Sequence, residues 1–105
     1  MDQNIAVRLS PQVLAEIKSV FEQVFDKGDL YLFGSRTDKQ QKGGDIDLFL
    51  APENLQDIAV KKIDFLVRLK RLIGDQKIDL VVDRGQNRLI DRVAKQSGVL
   101  LCQKH

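Results

Sequence analysis

The sequence predicts a small α/β domain in which helices pack on a mixed β-sheet. Three stretches carry apolar residues at spacings of three and four, the repeat of an amphipathic helix, and shorter stretches alternate apolar and polar residues as strands do. The predicted order is αββαβα with a final strand at the sheet edge. A chain of 105 residues fits one domain, residues 1–105, with enough material for a hydrophobic core.

The first predicted helix runs from Ser10 to Phe25. Ser10 is a favourable N-cap, and Pro11 fits the first helical position, where its missing N–H costs nothing. Gly28 is expected to adopt the left-handed conformation that ends many helices. The first strand then begins near Leu30.

The second strand carries alternating carboxylates and aliphatic residues, and Ala51 and Pro52 close it. A second helix is expected from about Asn54 to Ile73, with Gly74 as its C-cap. Its polar positions carry many cations, which we interpret as a solvated helix face: Lys61, Lys62, Arg68, Lys70 and Arg71.

The third strand spans Lys77 to Asp83, and its lone inward carboxylate, Asp79, requires an explanation. A short third helix follows, marked by the apolar residues Leu89, Ile90, Val93 and Ala94 and ended by Gly98. The segment Val99 to Leu101 is predicted as an edge strand, and Cys102 to His105 are expected to fray.

Composition and charge exclude several classes of protein. With 43% hydrophobic and 30% charged residues the chain has a globular composition, and no run approaches the ~18 apolar residues of a membrane span. The N-terminus does not resemble a secretory signal, and the single Cys102 suits a reducing compartment, so we expect a cytoplasmic protein. A net charge of +2 makes direct nucleic-acid binding unexpected.

The residues that suggest a binding or catalytic site lie at the ends of two predicted strands. Gly34 and Ser35 follow the first strand, and Asp45 and Asp47 open the second. Because alternate side chains of a strand share a face, both carboxylates emerge on one side and repel each other by roughly 4 kcal/mol at ~4 Å on a protein surface. A hard cation such as Mg²⁺, completed by phosphates and water, relieves that repulsion. The stretch therefore predicts a metal and phosphate site.

Further residues extend this predicted site. Gly34 lets the backbone approach a phosphate, Ser35 offers its N–H and hydroxyl, and Arg36 adds a positive charge. Asp79 could bridge two metals or accept the proton of an attacking hydroxyl. Taken singly, a Gly-Ser pair is usually a turn and an Asp-x-Asp is usually exposed charge; the combination favours function. Asp75 and Asp83 are weaker candidates, since each lies at a strand end beside turn residues.

These motifs resemble the minimal nucleotidyltransferases of the polymerase β superfamily. The resemblance rests on Phe33-Gly34-Ser35, then Asp45-Ile46-Asp47, then Ile78-Asp79-Leu80, and it covers nearly the whole chain. It implies a polymerase β-like nucleotidyltransferase fold. It also implies nucleotide-phosphate binding by Gly34 and Ser35, and two Mg²⁺ ions bound by Asp45, Asp47 and Asp79.

The resemblance also implies a partner. Short members of this superfamily are commonly encoded beside a helical HEPN protein, in pairs that resemble toxin–antitoxin modules, and the nucleotidyltransferase moves AMP from ATP to a tyrosine of the HEPN toxin. We therefore expect an antitoxin-type nucleotidyltransferase that uses ATP or another nucleoside triphosphate. Two alternatives stay open: a binding module that neutralises a helical partner by contact, and an enzyme that modifies a small molecule such as an aminoglycoside.

Overall fold

The structure, a computed structural model, describes residues 9–33, 46–74, 76–86 and 88–104. Within these ranges the chain forms three helices and four strands: α1 (Pro11–Val24), β1 (Gly28–Phe33), β2 (Ile46–Pro52), α2 (Ile58–Ile73), β3 (Ile78–Val82), α3 (Leu89–Ser97) and β4 (Val99–Lys104). This order confirms the predicted αββαβα succession with a final edge strand.

The four strands form one mixed sheet in the order β3-β2-β1-β4. β1 is antiparallel to both of its neighbours, whereas β2 and β3 are parallel. Because two parallel strands cannot be joined by a tight turn, α2 supplies the crossover between them. The predicted mixed sheet is therefore confirmed, and it contains both kinds of strand pairing.

The main core lies between one face of the sheet and the two longer helices. Leu32, Leu48 and Leu80 project from neighbouring strands and are almost fully buried. Phe65 of α2 has no exposed surface and packs on Phe25, with ring centroids 5.5 Å apart. Because side chains alternate along a strand, the residues directly before and after each of these leucines lie on the opposite face of the sheet.

Helix α1 begins as predicted, because the Ser10 hydroxyl accepts a hydrogen bond of 3.1 Å from the Val13 N–H. The helix ends differently, since Asp26 takes the left-handed conformation with a φ of 68°. The prediction for Gly28 was wrong: it is the first residue of β1, with a φ of 123°. A Cβ at this position would lie 2.8 Å from the carbonyl oxygen of Ala51, so only glycine fits beside β2.

Helix α2 begins at Ile58, four residues later than the predicted start at Asn54. The Asn54 side chain instead accepts a hydrogen bond of 3.0 Å from the Gln56 N–H, a local bond that favours a turn. Gly74 ends the helix as predicted, with a φ of 84°. In the described part of the chain no helix is long and apolar enough to cross a membrane.

Helix α3 lies where its apolar residues predicted a helix and ends before Gly98 as predicted, but only Ala94 of those four residues is buried. Leu89, Ile90 and Val93 are 69%, 40% and 46% exposed, whereas Asp91 and Ala94 are buried. Polar contacts attach the helix to the end of β3. The Arg88 guanidinium donates to the Asp91 carboxylate and to the Val82 carbonyl at 2.9 and 3.0 Å.

Strand β4 continues through Lys104, so the expectation that the segment from Cys102 frays was wrong for its described residues. Cys102 pairs with Leu30, and the register shifts between Leu30 and Tyr31. Burial raises the pKa of the Cys102 thiol to about 11. A thiol with so high a pKa is a poor nucleophile at neutral pH.

The core generates a stability prediction. Phe65→Ala should lower the free energy of unfolding by about 3–5 kcal/mol, because it removes a fully buried ring that packs on Phe25. The matched control is Leu89→Ala on exposed α3, which should change it by less than about 0.5 kcal/mol. Urea denaturation followed by circular dichroism measures both. Equal losses in the two variants would contradict the assignment of the core.

The attachment of α3 generates a prediction about how the stability of the fold depends on pH. The guanidinium of Arg88 lowers the pKa of Asp91 below its usual value of 3.8, and the Arg88 backbone N–H adds to the effect. A lowered folded-state pKa stabilises the fold above the unfolded pKa, and this stabilisation disappears as the pH falls through the folded pKa. Asp91→Asn should therefore destabilise the protein at neutral pH and do so progressively less below about pH 4.

Denaturation of the parent and of Asp91→Asn at neutral and at acidic pH tests this expectation. The difference in unfolding free energy between them should shrink as the pH falls. A difference that is constant with pH would assign Asp91 a purely steric role.

Candidate functional site

Two carboxylates stand side by side on the sheet face opposite the main core. In the parallel pairing of β2 with β3, Asp47 is the direct partner of Asp79. Neighbouring strands lie about 5 Å apart, so side chains at paired positions on the same face are adjacent. Leu48 and Leu80, the next pair along, are buried on the other face and hold this register in place.

The exposure of the two carboxylates differs, and it corrects one expectation. Asp79 was expected to point inward, but its side chain is exposed, while Asp47 is half-buried. β3 is the outer strand of the described sheet, with β2 on one side only. Asp79 therefore stands at the open edge of the pair, where a second molecule can reach it.

The end of β1 lies beside this pair. Phe33, the last residue of β1, is the antiparallel partner of Asp47, so Phe33, Asp47 and Asp79 form a row across three strands. Gly34 is the next residue after Phe33 in the chain. The row therefore places Phe33, the last described residue before Gly34, next to the carboxylates.

Four of the predicted site residues fall outside the described part of the chain. These are Gly34, Ser35, Arg36 and Asp45. Their contribution to the site stays a prediction. The described strands determine only where their neighbours lie: Phe33 before Gly34, and Ile46 after Asp45.

An aromatic layer that sequence reasoning did not assign to the site adjoins the carboxylates. The ring centroids of Phe33 and Phe49 lie 6.4 Å apart, with the rings edge to face. The ring centroids of Tyr31 and Phe49 lie 6.1 Å apart. Phe49 is fully buried, although it lies outside the main core. The alternation of Tyr31 with Phe33 was visible in the sequence, but their proximity to Asp47 depends on the pairing of β1 with β2, which periodicity alone does not reveal.

The chemistry of the donor set fits a hard divalent cation. Mg²⁺ is typically bound by one or two carboxylates, with phosphate oxygens and water filling its octahedral shell. Asp47 and Asp79 supply two carboxylates at paired positions on one face. Among the described residues no cluster of three His, Cys, Asp or Glu side chains could hold a metal ion. A third carboxylate from the described residues does not join the pair.

Asp83, the weaker candidate for the third carboxylate, has a structural role. It lies four residues beyond Asp79, roughly 13 Å along an extended strand. Its carboxylate accepts from the Gly85 N–H at 2.9 Å and from the Lys95 ammonium at 2.7 Å. The bond from Lys95 lowers the pKa of Asp83, partly offset by burial. Asp83 thus stabilises the turn after β3 and links it to α3, whereas Asp75 lies outside the described residues.

Comparison with known proteins found a matching family and a similar solved structure. The family model described as "Polymerase beta, Nucleotidyltransferase" matches residues 15–105, most of the chain. One solved chain that resembles this protein is described as "Crystal structure of putative nucleotidyltransferase"; it has a TM-score of 0.46 and 21% sequence identity, over 66% of this chain and 75% of that chain. No curated protein matches the sequence.

The family match covers most of α1, the carboxylate-bearing strands and β4, so it includes the strands that position the candidate site. It also agrees with the fold, a small α/β domain with a mixed four-stranded sheet. The chain therefore belongs to the polymerase beta nucleotidyltransferase family.

Proposed function

We propose that this domain transfers AMP, or another nucleoside monophosphate, from a nucleoside triphosphate to a hydroxyl group with the help of Mg²⁺. The hydroxyl oxygen bonds to the α-phosphate, and the bond to the β-phosphate breaks and releases pyrophosphate. The observation that carries the proposal is the alignment of Asp47 with Asp79 on neighbouring parallel strands. The two side chains share the face opposite the main core, at directly paired positions. Family membership supports a nucleotidyltransferase reaction in particular.

Each carboxylate has a role in this proposal. Asp45 and Asp47 bind Mg²⁺, and Asp79 completes the metal site. Bound Mg²⁺ would neutralise negative charge that develops on the phosphates. Because Asp79 is the exposed member at the sheet edge, it is also the carboxylate best placed to accept the proton of an incoming hydroxyl.

The nucleotide phosphates are proposed to bind at the end of β1. Gly34 allows close approach of the backbone, Ser35 donates from its N–H and hydroxyl, and Arg36 contributes positive charge. Support comes from the row of Phe33, Asp47 and Asp79, since Gly34 directly follows the residue that pairs with Asp47. Phosphates held there would lie beside the metal-binding carboxylates.

The proposed acceptor is a tyrosine of a helical HEPN-type protein, which would make this chain the antitoxin of a toxin–antitoxin pair. The exposure of Asp79 on an outer strand supports a large acceptor that approaches from outside. A folded protein can present a tyrosine to such an open edge, whereas a small molecule usually requires an enclosing cleft.

The carboxylates generate the central prediction. Asp47→Asn and Asp79→Asn each remove one charge from the pair and keep the side-chain shape, so the melting temperature without metal should equal or exceed that of the parent. Addition of Mg²⁺ and ATP should raise the melting temperature of the parent more than that of either variant. Nucleotidyl transfer should collapse in both, because an amide is a poor ligand for Mg²⁺.

Transfer is measured by intact mass of the product of the adjacent reading frame, the proposed acceptor, after co-expression with each variant. Asp83→Asn is the matched control and should retain transfer, because Asp83 contacts Lys95 and Gly85 rather than the carboxylate pair. If Asp47→Asn melts well below the parent and still transfers nucleotide, the carboxylates are structural. A partner that binds tightly to the parent without any added mass would favour the contact-neutralising module.

The phosphate site generates a separate prediction. Ser35→Ala should weaken ATP binding by about 1.5 kcal/mol, roughly tenfold, because it removes a hydrogen bond to a charged group. Ser97→Ala at the exposed end of α3 is the control and should leave ATP affinity unchanged. Isothermal titration with Mg²⁺ and ATP measures both. Unchanged affinity in Ser35→Ala would remove this residue from the phosphate site.

A further inference from the structure

Helix α2 has a second apolar stripe that faces solvent. Val60, Ile63 and Val67 are 68%, 64% and 44% exposed, although all three are aliphatic and β-branched. At about 100° per residue they lie within roughly 60° of one another around the helix. They point directly away from the buried side of the same helix, which carries Ile58, Phe65 and Leu69. We call Val60, Ile63 and Val67 the outward stripe.

Much of the apolar surface of the outward stripe is left unburied by the isolated fold. β-Branched residues lower helix propensity relative to alanine or leucine, and burial of their apolar surface would gain about 25 cal/mol per Å². Their spacing of three and then four residues is that of a coiled-coil seam, in which the apolar residues of one helix pack against a second helix. The stripe therefore fits a helical partner.

We propose that the partner is a second copy of this chain, with the two α2 helices packed antiparallel about a two-fold axis near Ile63. The charges at the two ends of α2 favour a second, antiparallel copy of the chain as the partner. Asp57 lies at the exposed N-terminal end of α2, and Lys70 and Arg71 lie in its last turn. Antiparallel pairing brings Asp57 of each copy to Lys70 and Arg71 of the other.

A parallel arrangement lacks this complementarity. It would place Lys70 and Arg71 of both copies together, and like charges in contact are destabilising. It would also align the two helix dipoles in the same direction, whereas antiparallel packing places each positive N-terminus beside a negative C-terminus. The distribution of charge along α2 therefore favours the two-fold arrangement.

The local structure of Asp57 agrees with this role. It occupies the N-cap in the left-handed conformation, with a φ of 55°, and its side chain makes no capping hydrogen bond. The carboxylate is therefore not engaged in a capping hydrogen bond of its own helix. The other acid near the seam, Asp64, is already engaged by Arg68 at 2.8 Å. Asp57 is thus the acid of α2 that the dimer would use.

The dimer would leave the candidate site accessible. α2 packs on the core face of the sheet, and Asp47 and Asp79 project from the opposite face. Two copies joined through α2 would present their carboxylate pairs outward in opposite directions. The proposal is independent of the proposed reaction, since it rests only on the surface of α2.

Sedimentation velocity over a range of concentrations tests the proposal on the full chain. The parent should dimerise, and Ile63→Glu should raise the dimer dissociation constant at least about tenfold by placing a charge in the seam. Leu89→Glu on α3 is the matched control, because Leu89 is 69% exposed and Ile63 is 64% exposed. It should dimerise like the parent. Circular dichroism should show all three proteins folded.

A charge exchange tests the antiparallel orientation. Asp57→Lys should weaken the dimer, and the same variant with Lys70→Glu and Arg71→Glu should recover it. A parent that stays monomeric at its highest soluble concentration overturns the proposal, as does a dimer that Leu89→Glu disrupts and Ile63→Glu leaves intact. If the exchanged variant fails to recover dimerisation, the antiparallel pairing is wrong. A monomeric parent whose outward stripe binds a different helical protein would likewise assign the stripe to that protein.

Discussion

The parallel register between β2 and β3 is the constraint on which the rest of this structure depends. It sets Leu48 beside Leu80 in the core and, one residue earlier, Asp47 beside Asp79 on the other face. A slip of one residue would exchange the two faces of a strand and drive a carboxylate into the core. Core packing therefore enforces the geometry of the carboxylate pair, and the same crossover helix that makes the parallel pairing possible also covers that core.

Local patterns revealed most of the fold. Apolar periodicity identified all three helices, and Ser10 and Gly74 marked ends that the structure confirms. The wrong predictions concern positions where one residue type is compatible with more than one local structure. Gly28 suggested a helix end, but its positive φ and missing side chain allow β1 to approach Ala51 closely. Asp26 makes the turn after α1 instead. Sequence spacing cannot show which backbone a glycine will approach.

Long-range contacts account for the remaining differences. The apolar residues of α3 marked the helix but not its attachment, because Arg88 bonds to Asp91 and to the carbonyl of Val82 while Leu89 stays exposed. Likewise, the segment from Cys102 is held because it pairs with Leu30, far away in sequence. For the candidate site, strand alternation predicted that Asp79 belongs on a face with other acids, but only the strand order shows that Asp47 is its direct neighbour. Gly34, Ser35, Arg36 and Asp45 lie outside the described residues and retain their predicted roles.

The position of β1 has a consequence for the order in which the sheet is completed during synthesis. β1 is made early, but its partner on one side, β4, is translated last among the described strands, and Gly28 pairs with Lys104. Until β4 leaves the ribosome, the nascent sheet exposes the unpaired backbone of β1 along a whole edge, a form prone to pairing with other chains. Closing so long a loop is slow compared with local helix formation. Ribosome-bound nascent chains that stop before Val99 should therefore be the species most dependent on chaperones.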